Sequence, residues 1–182
     1  LPGDFSGDGI PDILVLGAAS ATGSPANIFF LKGKGDGTFA APVISPTGGT
    51  LPTSFAQGDF NGDGKPDLAV THSDGNRVTI LLGNGDGTFR AGSTFAAGNS
   101  PLSVTVADLN ADGRLDLAVA NSGDDNVSIF FGNADGTFRA CDIEVEHGRI
   151  AAVTPDGRAT ARGPPAVDAH GHTLLPALVD LH

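Results

Sequence analysis

Residues 59–67 read DFNGDGKPD, with oxygen-bearing side chains at Asp59, Asn61, Asp63 and Asp67 and a glycine, Gly64, at the sixth position. The pattern occurs three times, again as DFSGDGIPD from Asp4 and DLNADGRLD from Asp108. Alternate side chains of a tightly curled chain project toward one point, and the glycine permits the bend. Ca²⁺ accepts six to eight oxygens at about 2.3–2.6 Å, whereas Mg²⁺ prefers to keep several waters. Side chains one, three, five and nine, with a backbone carbonyl at seven, would nearly fill a calcium shell. In the middle copy these are Asp59, Asn61, Asp63, the carbonyl of Lys65, and Asp67. The competing reading is a surface turn, because Asp, Asn and Gly favour turns without any metal. Three copies that keep oxygen residues at the same four positions favour the cation. An EF-hand would need Glu at position twelve and flanking helices. Position twelve is Val15, Val70 or Val119, each inside a β-rich run.

A second motif accompanies the first: GKGDGTF, GNGDGTF and GNADGTF begin at Gly33, Gly83 and Gly132. The acidic motif recurs after 55 and 49 residues, the second motif after 50 and 49. Repeats of this length are propeller or solenoid units. Within a unit the apolar runs are short and rich in Val, Ile, Thr and Phe, and none sustains a helical period. The Asp-Gly pairs, such as Asp86-Gly87, fit type I′ hairpins, in which both central residues take positive φ. Four strands per unit are the arithmetic of a propeller blade, so the chain is expected to be all-β with three propeller-type blades. A closed ring needs about four to eight. The chain therefore reads as an arc, with further blades outside it.

Composition narrows the partners. A net charge of −11 argues against nucleic acid, which needs clustered Lys and Arg, and suits cations. No run approaches the roughly 18 apolar residues of a membrane span. No basic-then-apolar leader follows Leu1, so any secretory signal is expected upstream. Cys141 is the lone cysteine, without a nearby His or Cys, and neither an intrachain disulfide nor a nucleophile is expected. His72 stands among polar residues and is expected to be exposed. All 11 Phe precede residue 139, whereas Glu144, Glu146 and four of the five His follow it. This shift divides the chain into residues 1–139 and 140–182. It reads either as a domain junction or as a join of unrelated sequences, such as a truncated or chimeric gene.

GDFNGDGKPDLAV followed by ILLGNGDGTF resembles the FG-GAP/VCBS repeat of integrin-α-type β-propellers. The resemblance covers residues 1 to about 139. It implies calcium in loops at the rim of each blade, in a non-enzymatic, secreted or cell-surface protein that binds protein or glycan partners in adhesion or recognition. Carried over by position, the ligands are Asp4, Ser6, Asp8 and Asp12; Asp59, Asn61, Asp63 and Asp67; and Asp108, Asn110, Asp112 and Asp116. Ser6 is the weakest of them. Extracellular calcium modules have Kd of about 10⁻⁴–10⁻³ M, so such sites fill outside cells.

The tail carries a different resemblance. CDIEVEHGRIAAVTPDG and TLLPALVDLH are similar to the opening of amidohydrolases of the dihydroorotase and cytosine deaminase kind. Alternation predicts two strands around His147-Gly148 and another in TLLPALVDL. The resemblance implies a Zn²⁺-dependent hydrolase of C–N bonds, with His182 as a remnant of the first metal histidine pair. Ala177 stands where that family has glycine, and a catalytic zinc needs about three protein ligands. His170 and His172 fall in the turn before that strand. The chain as written is expected to show no such turnover.

Overall fold

The computed structural model describes residues 1–17, 26–146 and 149–155. Among them there is no helix; the protein is all-β, as its short β-branched runs predict. The first sheet comprises β1 (Pro2–Gly3), β2 (Asp12–Gly17), β3 (Asn27–Leu31) and β4 (Val43–Pro46). The second comprises β5 (Pro52–Gly58), β6 (Asp67–His72), β7 (Arg77–Gly83) and β8 (Phe89–Ala96). The third comprises β9 (Pro101–Ala107), β10 (Asp116–Asn121), β11 (Asn126–Gly132) and β12 (Phe138–Glu146), with β13 (Arg149–Pro155) added at its edge. Every pairing is antiparallel and joins neighbours in the chain. Each repeat is thus one four-stranded meander, and the sheets do not close into a barrel.

The sheets stack face on face, and burial along the strands records it. In β6 every residue from Asp67 to His72 is buried, because the second sheet is covered on both sides. In β2 only Asp12 and Leu14 are buried, so the first sheet is covered on one side. Side chains alternate across a pleated strand, which assigns each residue to a face. Leu14, Ile28 and Phe30 of the first sheet pack on Leu68, Val70 and Leu81 of the second. Ala69, Val78 and Ile80, on the second sheet's other face, pack on Leu117, Val119 and Phe130 of the third. Register therefore decides everything here: a one-residue slip would exchange the two interfaces.

The acidic loops join the first strand of each sheet to the second, and the DGTF hairpins join the third to the fourth. Both lie along one end of the stack. The connections between sheets run along the other end. There His72 departs from its expected exposure. It is fully buried beneath the link between the first and second sheets, and neither ring nitrogen makes a hydrogen bond. The Thr47 carbonyl faces the ring without closing one. A Cβ on Gly49 would lie 2.3 Å from His72 Nδ1 and 2.8 Å from Arg77 Nη2, so only glycine lets the link pass this closely. Arg77 donates to the Gly48 carbonyl at 3.3 Å and pairs with Asp74, which accepts the Thr50 amide at 3.1 Å. The polar neighbours of His72 in the sequence are thus satisfied by the link, and they hold it down over the imidazole.

The Asp-Gly hairpins also differ from expectation. Gly37, Gly87 and Gly136 take positive φ, but Asp36, Asp86 and Asp135 do not, so these are not type I′ turns. Each aspartate instead accepts the amide of the threonine two residues on, at 2.9–3.0 Å. The side chain thereby replaces one turn of backbone. At the boundary of composition, β12 runs unbroken across residues 139–141, paired with β11 from Gly132↔Phe138 to Asn126↔Glu144. β12 and β13 are the two strands expected around His147-Gly148. The segments bearing His170, His172, TLLPALVDL and His182 lie outside the described residues.

His72 yields a pH prediction. Burial first, and then the Arg77 guanidinium, hold its pKa below the ordinary 6.5, so the folded state keeps the ring neutral. The unfolded state takes up the proton first. Stability contributed by the neutral ring is complete above about pH 6.5 and falls as pH drops toward the lower folded value. His72→Asn installs the residue that the third sheet carries at the equivalent Asn121. Urea unfolding at pH 7.5 and pH 5 should show the loss on acidification to be smaller in His72→Asn than in the wild type.

Candidate functional site

The three acidic loops share one backbone. Gly9, Gly64 and Gly113, at position six, have φ of 80°, 79° and 82°. Position four is also left-handed: Gly7 and Gly62 at 73°, and Ala111 at 60°. Position one draws the loop around itself. Asp59 Oδ1 accepts the amides of Gly62 at 2.8 Å and Asp63 at 3.1 Å, and Oδ2 accepts that of Gly64 at 2.9 Å. Asp4 accepts the equivalent amides of Gly7, Asp8 and Gly9, and Asp108 those of Asp112 and Gly113. Position five turns the chain onward: Asp8, Asp63 and Asp112 each accept the amide of position seven at 2.9 Å. At position seven, Lys65 donates that amide.

Position nine behaves differently. Asp12, Asp67 and Asp116 are fully buried. Oδ2 of Asp67 accepts the Phe60 amide at 3.1 Å, and Oδ1 accepts the Gly83 amide at 2.8 Å. Asp12 joins Phe5 and Gly33 in the same way, and Asp116 joins Leu109 and Gly132. One carboxylate therefore ties the acidic motif to the first residue of the second motif. A Cβ on Gly33, Gly83 or Gly132 would lie 2.1–2.2 Å from the carbonyl oxygen of Pro11, Pro66 or Leu115, so glycine alone permits the approach. Burial holds the Asp67 carboxyl above its ordinary range, with Asp63 and Asp59 adding to the rise against the two amide bonds.

The loops also meet the next repeat. Phe5, at position two, is buried and packs edge-on against Phe89 at 6.5 Å. Phe60 packs on Phe138 at 5.6 Å. The Gly87 amide donates to the Phe5 carbonyl at 3.0 Å. The phenylalanine of the acidic motif thus meets the phenylalanine of the following DGTF hairpin. Sequence reasoning missed this pairing, although both residues recur within the quoted motifs.

At positions three and five the charge is answered by neighbouring donors. Asn61 Nδ2 donates to Asp63 Oδ2 at 3.2 Å and Asn110 Nδ2 to Asp112 Oδ2 at 3.0 Å. Lys32 pairs with Asp8 at 3.0 Å and Arg114 with Asp112 at 2.7 Å. The Ile10 amide and then Lys32 hold Asp8 below the ordinary carboxylate range. Burial works against Asp112, but the Arg114 amide and Asn110 outweigh it and hold that carboxyl low. In the first loop Ser6 has no amide to offer; its Oγ is buried beside Asp8 and adds slightly to the lowering of that carboxyl.

A hard cation makes definite demands of this set. Among the described residues no group of three or more His, Cys, Asp or Glu is placed to hold a metal ion. Each loop instead carries two outward carboxylates and an amide or hydroxyl oxygen. A carboxylate has about four lone-pair sites. Asp59 uses three and Asp67 two, so acceptor capacity remains. The donor chemistry, all oxygen with excess negative charge, is of the kind that hard cations take.

A family model described as FG-GAP-like repeat matches residues 4–70, 59–119 and 108–169, the last continuing past residue 140. No curated protein sequence matches the chain. Among solved structures, a chain of the Tc holotoxin pore of Photorhabdus luminescens is similar at 22% identity and a TM-score of 0.48. That match covers 81% of this chain and 7% of the toxin chain, so this chain spans a small fraction of its length.

Two substitutions separate the inner carboxylate from the outer loop. Asp67→Ala leaves two buried amides without an acceptor, at about 1–3 kcal/mol each. Urea unfolding should show a loss of about 2–6 kcal/mol, whereas Asp63→Ala in metal-free buffer should cost less than about 1 kcal/mol. Ala111→Gly relieves a left-handed alanine and should stabilise the protein by about 0.5–1 kcal/mol.

Proposed function

The chain belongs to the FG-GAP-like repeat family, and on that premise we propose that it is a calcium-stabilised recognition module whose acidic loops are the cation sites. The observation that carries the reading is one loop backbone built three times, with oxygen side chains at positions one, three and five and a left-handed glycine at position six. The ligands would be the side chains at positions one, three, five and nine: Asp4, Ser6, Asp8 and Asp12; Asp59, Asn61, Asp63 and Asp67; Asp108, Asn110, Asp112 and Asp116. The position-seven carbonyl, that of Lys65 in the middle loop, completes each set. Calcium would neutralise carboxylates that Lys32, Arg114 and the asparagine amides now answer singly.

Outside cells, where calcium is abundant, such a module presents a rigid rim of loops to a protein or glycan partner in adhesion. No helix among the described residues is long and apolar enough to cross a membrane. We retain the division into residues 1–139 and 140–182 as a proposal about origin, with β12 bridging it. The hydrolase reading of the tail is not favoured. Its His182 lies outside the described residues, and among those described no group of three or more His, Cys, Asp or Glu is placed to hold a metal.

Calcium at ten times Kd should add about 1.4 kcal/mol per site. The melting temperature should therefore rise by several degrees in millimolar calcium and fall back with chelator. An unchanged melting temperature would contradict the metal sites. Isothermal titration with Asp8→Ala, Asp63→Ala and Asp112→Ala would then count them, one site lost with each.

A further inference from the structure

The two links between sheets are built alike. In the first, Gly49 passes over His72, and a Cβ there would lie 2.3 Å from the ring Nδ1. In the second, Gly98 passes over Asn121, and a Cβ there would lie 2.5 Å from its Nδ2. The fastenings match as well. In the first link the Thr50 amide donates to Asp74, and the Ser73 amide donates to the Leu51 carbonyl at 3.0 Å. In the second the Asn99 amide donates to Asp124, and the Ser122 amide to the Ser100 carbonyl, also at 3.0 Å. The difference lies in the side chain beneath. Asn121 donates to Asn126 Oδ1 and Ser128 Oγ, both at 2.8 Å, and cannot titrate. His72 is as fully buried and can, yet neither of its nitrogens has a partner.

A second ring proton would bury a charge and turn both nitrogens into donors, and an unpaired buried charge is far costlier than a neutral polar atom. The groups facing the ring offer it little. The link presents the Thr47 carbonyl, which closes no hydrogen bond, and the bare backbone of Gly49. β7 presents the Arg77 guanidinium, a like charge. The turn before it presents the Asp74 carboxylate, already shared between Thr50 and Arg77. β5 presents Pro52, paired with His72 across the sheet and uncharged. Because Nδ1 lies against the link, water reaches it when residues 48–51 lift. The bonds at the crest of the link are exposed ones, Thr50 to Asp74 at 3.1 Å and Arg77 to the Gly48 carbonyl at 3.3 Å.

We propose that the first link is an acid-released latch: protonation of His72 lifts residues 48–51 off the second sheet, while the matching link over Asn121 stays closed. The open state takes the proton near the ordinary histidine value of 6.5, and the closed state resists it. Opening is therefore rarest above about pH 6.5 and grows as pH falls below it, by at most about thirtyfold at pH 5. The opening is local. Leu68 and Val70, which pack on the first sheet, lie further along β6 and stay in place. The freed segment, GGTL, is then accessible to a protease or partner in acid and shut away at neutral pH.

Amide hydrogen exchange of the full chain at pH 7.5 and pH 5, corrected for the intrinsic effect of pH, tests the latch. Ser73 and Ser122 are the pair to compare, because each donates to a carbonyl that does not titrate. Protection at Ser73 should fall about tenfold to thirtyfold in acid. Protection at Ser122 and at Ala69 should change by less than about twofold. In His72→Asn the response at Ser73 should disappear. Chelator in the buffer keeps the cation sites out of the measurement, so their failure and that of the latch are distinguishable. Unchanged protection at Ser73, an equal loss at Ser73 and Ser122, or a loss that survives in His72→Asn would overturn the proposal. The comparison of the two links within the wild type decides the matter even where the variant does not fold.

Discussion

A buried carboxylate holds each repeat together. Asp12, Asp67 and Asp116 are buried at the start of a central strand, and each binds backbone amides through both oxygens, two at Asp67 and Asp116 and three at Asp12. One oxygen serves the acidic loop and the other the glycine that ends the third strand. Removing the acid would strand both donors away from water, where each costs about as much as a large fraction of a domain's net stability. The glycine is fixed by the same contact, because its missing Cβ is what lets the strand end reach the carboxylate. Two motifs some twenty residues apart are therefore one structural element, which explains why they recur together with nearly the same period.

A second coupling acts between repeats. The aromatic residue after the first aspartate leaves the loop and packs under the next sheet's hairpin, as Phe5 does on Phe89 and Phe60 on Phe138. The loop end of the stack is thus locked at the same level as its faces, and loop geometry and sheet stacking reinforce one another. At the opposite end the links between sheets have a different support. There the network of Arg77, Asp74 and Thr50 clamps one link over His72, while Asn121 takes the equivalent place in the third sheet, bonded to Asn126 and Ser128.

Much of this is legible in the sequence because the determinants are local. Oxygen residues at alternate positions with glycine at the sixth specify a curl whatever surrounds it, and Gly9, Gly64 and Gly113 all adopt the left-handed conformation expected. The repeat period and the β-branched runs lead directly to four strands per unit. What escapes is set by tertiary contact. Asp67 reads as a ligand like Asp59, and only the fold shows that it also faces inward to Gly83. His72 looks exposed among Thr71, Ser73 and Asp74, but those neighbours are satisfied by the link and by β5, 17 to 24 residues away. The hairpins resemble type I′ turns by composition, yet the aspartate itself is not left-handed and its side chain captures the threonine amide.

Amide hydrogen exchange read residue by residue tests the buried carboxylate most directly. If Asp67 binds both donors as one cooperative element, the amides of Phe60 and Gly83 should exchange at the same rate, as slowly as the central strand amides of Ala69 and Ile80, and through global unfolding. The pairs Phe5 with Gly33 and Leu109 with Gly132 should behave alike. Rapid exchange at Gly83, or rates for Phe60 and Gly83 that respond independently to denaturant, would contradict the account.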